Sequence, residues 1–196
     1  MNQSIVVGGF EQYSNIIIEG CEFYIRPSLL VGGRAMDLGY SGGLDNFQIL
    51  NNYCDAYTYF STYPLTNGTV TGNTFLGYGG SYEQFINDNI WGDRPISGKR
   101  SRIIICEEGV RGHLVIYNYD HDNTVVVDVS SLMSAGDNYK LTNVQDYYND
   151  IITGAVEAGN VITISMTGRS CASPIASGLT LTSTFPEFGC FILEKI

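Results

Sequence analysis

A short pattern returns four times in the first half of the chain: Ile18-Glu19-Gly20-Cys21-Glu22-Phe23, Ile49-Leu50-Asn51-Asn52-Tyr53-Cys54, Val70-Thr71-Gly72-Asn73-Thr74-Phe75 and Ile86-Asn87-Asp88-Asn89-Ile90-Trp91. Each copy sets out an aliphatic β-former, a small or polar pair that usually contains asparagine, a spacer and a bulky apolar residue. Imperfect repetition of this kind predicts a stack of similar units, each burying its apolar face against the next. The equivalent positions Cys21, Asn52, Asn73 and Asn89 lie 31, 21 and 16 residues apart. A helical-hairpin array holds its period more strictly and spaces its apolar residues by three and four. Here they alternate or run together, as strands do. The expected unit is a circuit of short parallel strands whose turns absorb the differences in length.

On these residues the chain resembles the right-handed parallel β-helix proteins of the pectate-lyase-like group, over roughly residues 5 to 95. The resemblance implies an asparagine ladder of Asn52, Asn73 and Asn89, from which Cys21 departs. It implies one inner stack of Phe23, Cys54, Phe75 and Trp91, and another of Ile18, Ile49, Val70 and Ile86. The ladder has a physical basis of its own, because buried amides need partners and stacked identical amides can donate to one another.

The pattern stops in the polar stretch Gly92-Asp93-Arg94-Pro95-Ile96-Ser97-Gly98-Lys99-Arg100, which reads as a connector. Beyond it, Ile103–Ile105, His113–Tyr119, Thr124–Val129, Tyr139–Thr142, Val161–Met166, Leu179–Thr182 and Gly189–Leu193 read as strands. The segments Asp120-His121-Asp122-Asn123, Gly136-Asp137-Asn138 and Gly159-Asn160 supply turns between them. The expected fold is all-β, with parallel β-helix circuits over residues 1–97 and an antiparallel β-sandwich over residues 98–196. The ending Phe185-Pro186-Glu187-Phe188-Gly189-Cys190-Phe191-Ile192-Leu193 resembles the last strand of the small β-sandwich that closes many glycoside hydrolases. That likeness implies a supporting domain that sometimes binds sugar.

Twenty acidic against ten basic residues give a formal charge of -10, which opposes binding to nucleic acid or to an anionic membrane surface. No apolar run reaches the ~20 residues that cross a bilayer, so membrane insertion is not expected. The opening Met1-Asn2-Gln3-Ser4-Ile5 lacks the basic and long apolar regions of a secretory leader, and a removed leader or missing upstream region stays open. Five cysteines, with no Cys-x-x-Cys pair, suit neither a complete disulfide framework nor a zinc site. Cys21 and Cys54 read as buried apolar residues, while Cys171 and Cys190 could pair in an oxidising compartment. The sequons Asn2-Gln3-Ser4 and Asn67-Gly68-Thr69 matter only on a glycosylating route.

Sugar-acting β-helix enzymes place two or three carboxylates on an outer face, where one protonates the leaving oxygen and another serves as base or nucleophile. Asp37, Asp45, Asp55 and Asp88 lie among the repeats, with Arg34 near the first. No two of these aspartates occupy equivalent positions of neighbouring copies, so turn and surface roles come first and Asp37 and Asp55 remain the catalytic candidates. The Asn-Thr-Asp, Asp-Asp and Gly-His-Gly motifs of polygalacturonases are missing. Asp120 and Asp122 offer oxygens to calcium, yet the segment is also where a polar hairpin turn belongs. The glycine pairs at 32–33, 42–43 and 79–80 lack phosphate-loop order, and no Gly-x-Ser-x-Gly occurs.

Aromatics cluster at Tyr53, Tyr57, Tyr59, Phe60 and Tyr63 and again at Tyr78, Tyr82 and Phe85. Exposed rings stack on the C–H faces of sugars while nearby polar groups such as Asp45 bond the hydroxyls. The same rings would serve equally as core or as a trimer contact. The expected function is a noncatalytic, extracellular or surface-associated carbohydrate-binding module, the C-terminal part of a longer β-helix protein. A glycoside hydrolase or polysaccharide lyase with Asp37, Asp55 and Tyr57 in its groove is one alternative. A homo-oligomeric subunit of a filament or a phage-tail-spike-like trimer is the other.

Overall fold

The computed structural model describes residues 3–26, 33–106, 109–173 and 181–196, and divides the chain into two units, Met1–Arg94 and Pro95–Ile196. Asn2 of the first sequon, Gly32 and the start of the strand expected at Leu179–Thr182 lie outside the described residues. Both units are built from strands.

In the first unit the strands are β1 (Gln3–Gly8), β2 (Tyr13–Ser14), β3 (Ile17–Glu19), β4 (Glu22–Tyr24), β5 (Arg34–Tyr40), β6 (Leu44–Asp45) and β7 (Gln48–Leu50). They continue with β8 (Tyr53–Asp55), β9 (Tyr57–Phe60), β10 (Leu65–Thr66), β11 (Thr69–Thr71), β12 (Thr74–Leu76), β13 (Tyr78–Gly80) and β14 (Ile90–Gly92). They form four parallel sheets, ordered β1-β5-β9-β13, β2-β6-β10, β3-β7-β11 and β4-β8-β12-β14. Each of the first three circuits thus adds a strand to each sheet in the same order, and the last adds β13 and β14 to two of them. The sequence repeat sets the register: Ile18 pairs with Ile49 and Ile49 with Val70, while Phe23, Cys54, Phe75 and Trp91 align in a row. These rows form the core of the unit, and Trp91 stacks on Phe75 at 4.6 Å between ring centroids. At about 1.5–3 kcal/mol per large apolar side chain removed from water, they are the main cohesion of the stack.

Ile86 does not join the inner stack expected of it. It is 52% exposed and follows a 3-10 turn at Glu83–Phe85, and Phe85 packs on the core instead, 5.5 Å from the Phe60 ring. The offset of 16 residues into the last copy leaves too little chain for strands equivalent to β10 and β11, so a tight turn takes their place.

The asparagine ladder is present. Asn73 Oδ1 accepts the backbone N–H and the Nδ2 of Asn52, and Asn89 Oδ1 accepts the same two groups of Asn73, at 2.8–3.0 Å. The amides also donate to the carbonyls of Ile18, Ile49 and Val70. At Cys21 only the backbone takes part, donating to Asn52 Oδ1, while the thiol turns to the Glu19 carbonyl. The residue before each rung is left-handed: Gly20, Asn51, Gly72 and Asp88 have φ of 65°, 55°, 69° and 64°. Glycine, asparagine and aspartate are the residues that tolerate this bend. A second corner bends through left-handed asparagines, Asn15, Asn46 and Asn67; Asn46 Nδ2 donates to Asn15 Oδ1 at 2.6 Å, while Asn67 Nδ2 donates to Asp45 Oδ1.

The second unit holds β15 (Lys99–Ile105), β16 (Arg111–Asn118), β17 (Thr124–Asp128), β18 (Asn138–Asn143), β19 (Ile151–Ala155), β20 (Val161–Ser165) and β21 (Phe188–Lys195). An antiparallel sheet runs β15-β16-β21-β18-β19, and β17 pairs with β20. Leu114, Ile116, Leu141, Phe191 and Leu193 of the larger sheet share one core with Val125, Val127, Ile162 and Ile164 of the smaller. Period-two alternation makes this possible: Val125 and Val127 are buried while Val126 between them is 62% exposed.

Two expectations for this unit need correction. Leu181 and Thr182 are not in a strand and Leu181 is 51% exposed, whereas Ile151–Ala155, not expected as a strand, forms the sheet edge. Gly154 obscured that strand, yet a side chain there would collide with the Tyr139 ring, its Cβ meeting Oη at 2.8 Å. No disulfide joins Cys171 to Cys190, or any other two of the described cysteines.

Candidate functional site

Alternation along β9 turns Thr58 and Phe60 to the interior and leaves Tyr57 and Tyr59 on the outer face. Tyr57 is 38% exposed, and its ring is laid against the neighbouring strand β13. A Cβ on Gly79 would stand 1.7 Å from Tyr57 Oη and 2.8 Å from Cζ, so only a glycine there lets the ring lie along the backbone. The hydroxyl end of the phenol thus lies against the Gly79 backbone, and the residue keeps 38% exposure.

On the opposite flank β5 pairs Arg34 with Tyr57 and Asp37 with Tyr59. The Arg34 guanidinium sits 4.3 Å from the centroid of the Tyr59 ring, and its Nη1 reaches Asp37 Oδ2 at 2.5 Å. Asp37 is fully buried while the Arg34 side chain keeps 24% exposure, so the carboxylate anchors the guanidinium from within. The face therefore combines a flat ring with guanidinium N–H groups in a fixed orientation. That combination suits a ligand with an apolar face and hydroxyl or carboxylate edges.

The other residues singled out from the sequence fall elsewhere. Tyr53 is buried on β8, and Tyr63 is 52% exposed in a turn beyond β9, its N–H donating to Ser61 Oγ. Asp45 on β6 accepts bonds from Thr66 Oγ1 and Asn67 Nδ2, both at 2.7 Å. These bonds, Thr66 foremost, hold its carboxyl below the usual range and occupy it with a structural task. Asp55 is fully buried on β8, 3.1 Å from Arg94 Nη2, while Arg94 Nη1 donates to the Ile25 carbonyl. Asp37 and Asp55 thus belong to different sheets and have different arginine partners. The structure joins Asp37 with Tyr57 and Tyr59 on one face and sets Asp55 apart from it.

Asp120 and Asp122 flank the left-handed His121, at φ 55°. Asp120 Oδ1 accepts the Gly98 N–H at 2.7 Å, and the Lys99 ammonium lies 3.6 Å from Asp120 Oδ2 and bonds Asp122. The ammonium stands where a cation would be drawn. Among the described residues no group of three or more His, Cys, Asp or Glu side chains is placed to hold a metal ion.

Gly77 and Gly79 are part of this site and were not foreseen; the clustered glycines of Gly77-Tyr78-Gly79-Gly80, one register on from Tyr57, were the available signal. No protein-family model, curated protein or solved structure matches this chain.

Proposed function

We propose that this chain is a noncatalytic carbohydrate-binding module, extracellular or surface-associated, forming the C-terminal part of a longer protein. Its first unit is read as a short right-handed parallel β-helix of the pectate-lyase-like kind, and its second as an antiparallel β-sandwich. Four parallel sheets fed in one strand order support the first reading, and two antiparallel sheets around one core support the second.

The observation that carries the functional reading is the partly exposed Tyr57 ring, laid by its hydroxyl end on the Gly79 backbone and flanked by the Arg34–Asp37 pair. A pyranose stacks its C–H face on such a ring, and fixed N–H donors select among its hydroxyls. The glycosidase and lyase readings need two carboxylates about a common bond, and Asp37 and Asp55 are buried on separate sheets. The filament and tail-spike readings need open sheet edges; β1, β2, β3 and β4 are such edges on one side and β13 and β14 on the other, where the Glu83–Phe85 turn packs Phe85 on the core, so assembly stands as the second reading. A glycan array probed with the parent chain and with Tyr57→Ala tests the proposal. Signal on a related set of glycans that weakens in the variant supports it, and a blank array for the parent chain overturns it.

A further inference from the structure

The loop between β18 and β19 displays two adjacent aromatic rings. Tyr148 is 87% exposed and Tyr147 49%, and their rings meet edge-to-face at 5.2 Å with planes 84° apart. A ring left this far in water contributes almost nothing to burial, and the Tyr148 ring is accessible to a ligand.

The loop beneath them is fixed by a closed polar network. Asn143 N–H donates to the Asp150 carbonyl and Asn143 Nδ2 to Asp150 Oδ2, closing the loop at its base. Asn143 Oδ1 accepts the Gln145 N–H, capping the 3-10 turn Val144–Asp146. Asp146 takes the Ser170 hydroxyl at 2.7 Å and the Asn149 amide at 2.8 Å, and Asp150 takes Arg169 at 2.6 Å. Asn143, Asp146 and Asp150 are all buried, so the backbone that carries the tyrosines is held from inside. On β18 next to this loop, Lys140 bonds Glu194 at 2.7 Å, placing an ammonium and a carboxylate on the sheet that carries the rings. Tyr147 is among the groups, after Glu194, that favour the charged form of Lys140.

We infer that Tyr147 and Tyr148 form a second carbohydrate-binding site, on the carboxy-terminal unit, for an uncharged pyranose unit of a glycan. The perpendicular rings make a corner in which one ring is the floor for the sugar's C–H face and the other a wall against its edge. With its Nδ2 bonded to Asp146, the Asn149 side chain offers its oxygen as an acceptor, and the Lys140 ammonium, close enough to Tyr147 to be influenced by it, offers a donor for hydroxyls. An acidic chain, with carboxylates concentrated under this loop, disfavours phosphate-rich membranes and polyanions at the same place. The site shares the ligand class of the reading above but none of its residues, so the two can fail separately.

The test is affinity electrophoresis of the full chain through gels holding dextran, galactomannan or xyloglucan, comparing the parent with Tyr148→Ala, Tyr147→Ala and Tyr57→Ala. The expected result is that Tyr148→Ala weakens retardation by at least about fivefold with an unchanged thermal midpoint, and that Tyr147→Ala weakens it further. Loss in Tyr57→Ala with none in Tyr147→Ala or Tyr148→Ala overturns this inference and leaves the first site standing. Loss confined to the loop variants removes the Tyr57 face and keeps the loop. Absence of retardation on all three polysaccharides overturns both.

Discussion

Asn73 Oδ1 accepts two hydrogen bonds from Asn52, one from its backbone N–H and one from its Nδ2, each at 2.9 Å. A single side-chain oxygen thereby ties two circuits of chain together at a corner where both residues are buried. The Asn73 amide nitrogen meanwhile satisfies the Ile49 carbonyl of the circuit before. The rung is needed because the left-handed residues preceding it turn backbone groups away from the sheet ladders.

Removing that rung leaves buried donors on Asn52 and a buried acceptor on Ile49 without their partner. Asn73→Ala should lower the unfolding free energy by about 2–4 kcal/mol, read from the urea midpoint. Cys21→Ser, where the side chain carries no ladder bond, should change it by less than about 1 kcal/mol. Equal effects at both positions would show that the amides do not bear the load.

The glycines of β13 separate binding from stability. At Gly79 the obstacle to a methyl group is the movable end of the Tyr57 side chain, so Gly79→Ala should displace the ring and weaken glycan binding at a stability cost of about 1 kcal/mol or less. At Gly80 the φ is +81° and the obstacle is the Phe60 carbonyl 1.6 Å away, so Gly80→Ala should cost more than about 2 kcal/mol. Thermal melts run beside the array separate the two.

The acid limb of the stability curve should report the loop network. The Ser170 hydroxyl, and after it the Asn149 amide, hold the Asp146 carboxyl below its ordinary value of 3.8. A carboxyl depressed on folding contributes stability that is present above the unfolded value and is lost as pH falls through the folded one. Asp146→Asn should therefore flatten the loss of stability below about pH 4, measured as the urea midpoint against pH. A limb of unchanged slope would mean that Asp146 is not held as described.

Cys54 is fully buried in the first core, and burial pushes its thiol well above the ordinary range, so the reactive thiolate is suppressed. In the native chain, iodoacetamide at pH 8 should leave Cys54 unmodified while labelling the partly exposed Cys21, Cys106, Cys171 and Cys190, as peptide mass spectrometry would read. In denaturant all five should react.

Repetition made the first unit legible. Equivalent places in the repeated pattern, not equal spacing, put Cys21, Asn52, Asn73 and Asn89 in one row, because each circuit must return to the same corner. The row Asn15, Asn46 and Asn67 carries the same offsets of 31 and 21 and could have been found in the same way. Ile86 was misplaced because the pattern records residue types and not the shortening of the last circuit, which turns that segment into a 3-10 turn. In the second unit, period-two alternation exposed most strands, but Ile151–Ala155 escaped because Gly154 is there to admit the Tyr139 ring, a long-range need invisible in local pattern. The site was half visible for a similar reason. Tyr57, Tyr59, Arg34 and Asp37 were in view, while the burial of Tyr53 and the arginine partner of Asp55 depend on neighbours distant in sequence.

The Tyr57 ring, laid on Gly79, is proposed as the sugar platform of the first unit. That role is tested by the dissociation constant of the strongest array glycan for the parent chain, Tyr57→Phe and Tyr57→Ala. The account predicts that Tyr57→Phe stays within about threefold of the parent, because the ring face is kept, and that Tyr57→Ala binds at least about tenfold more weakly, a loss of about 1.4 kcal/mol. A Tyr57→Ala chain that binds as tightly as the parent would contradict it.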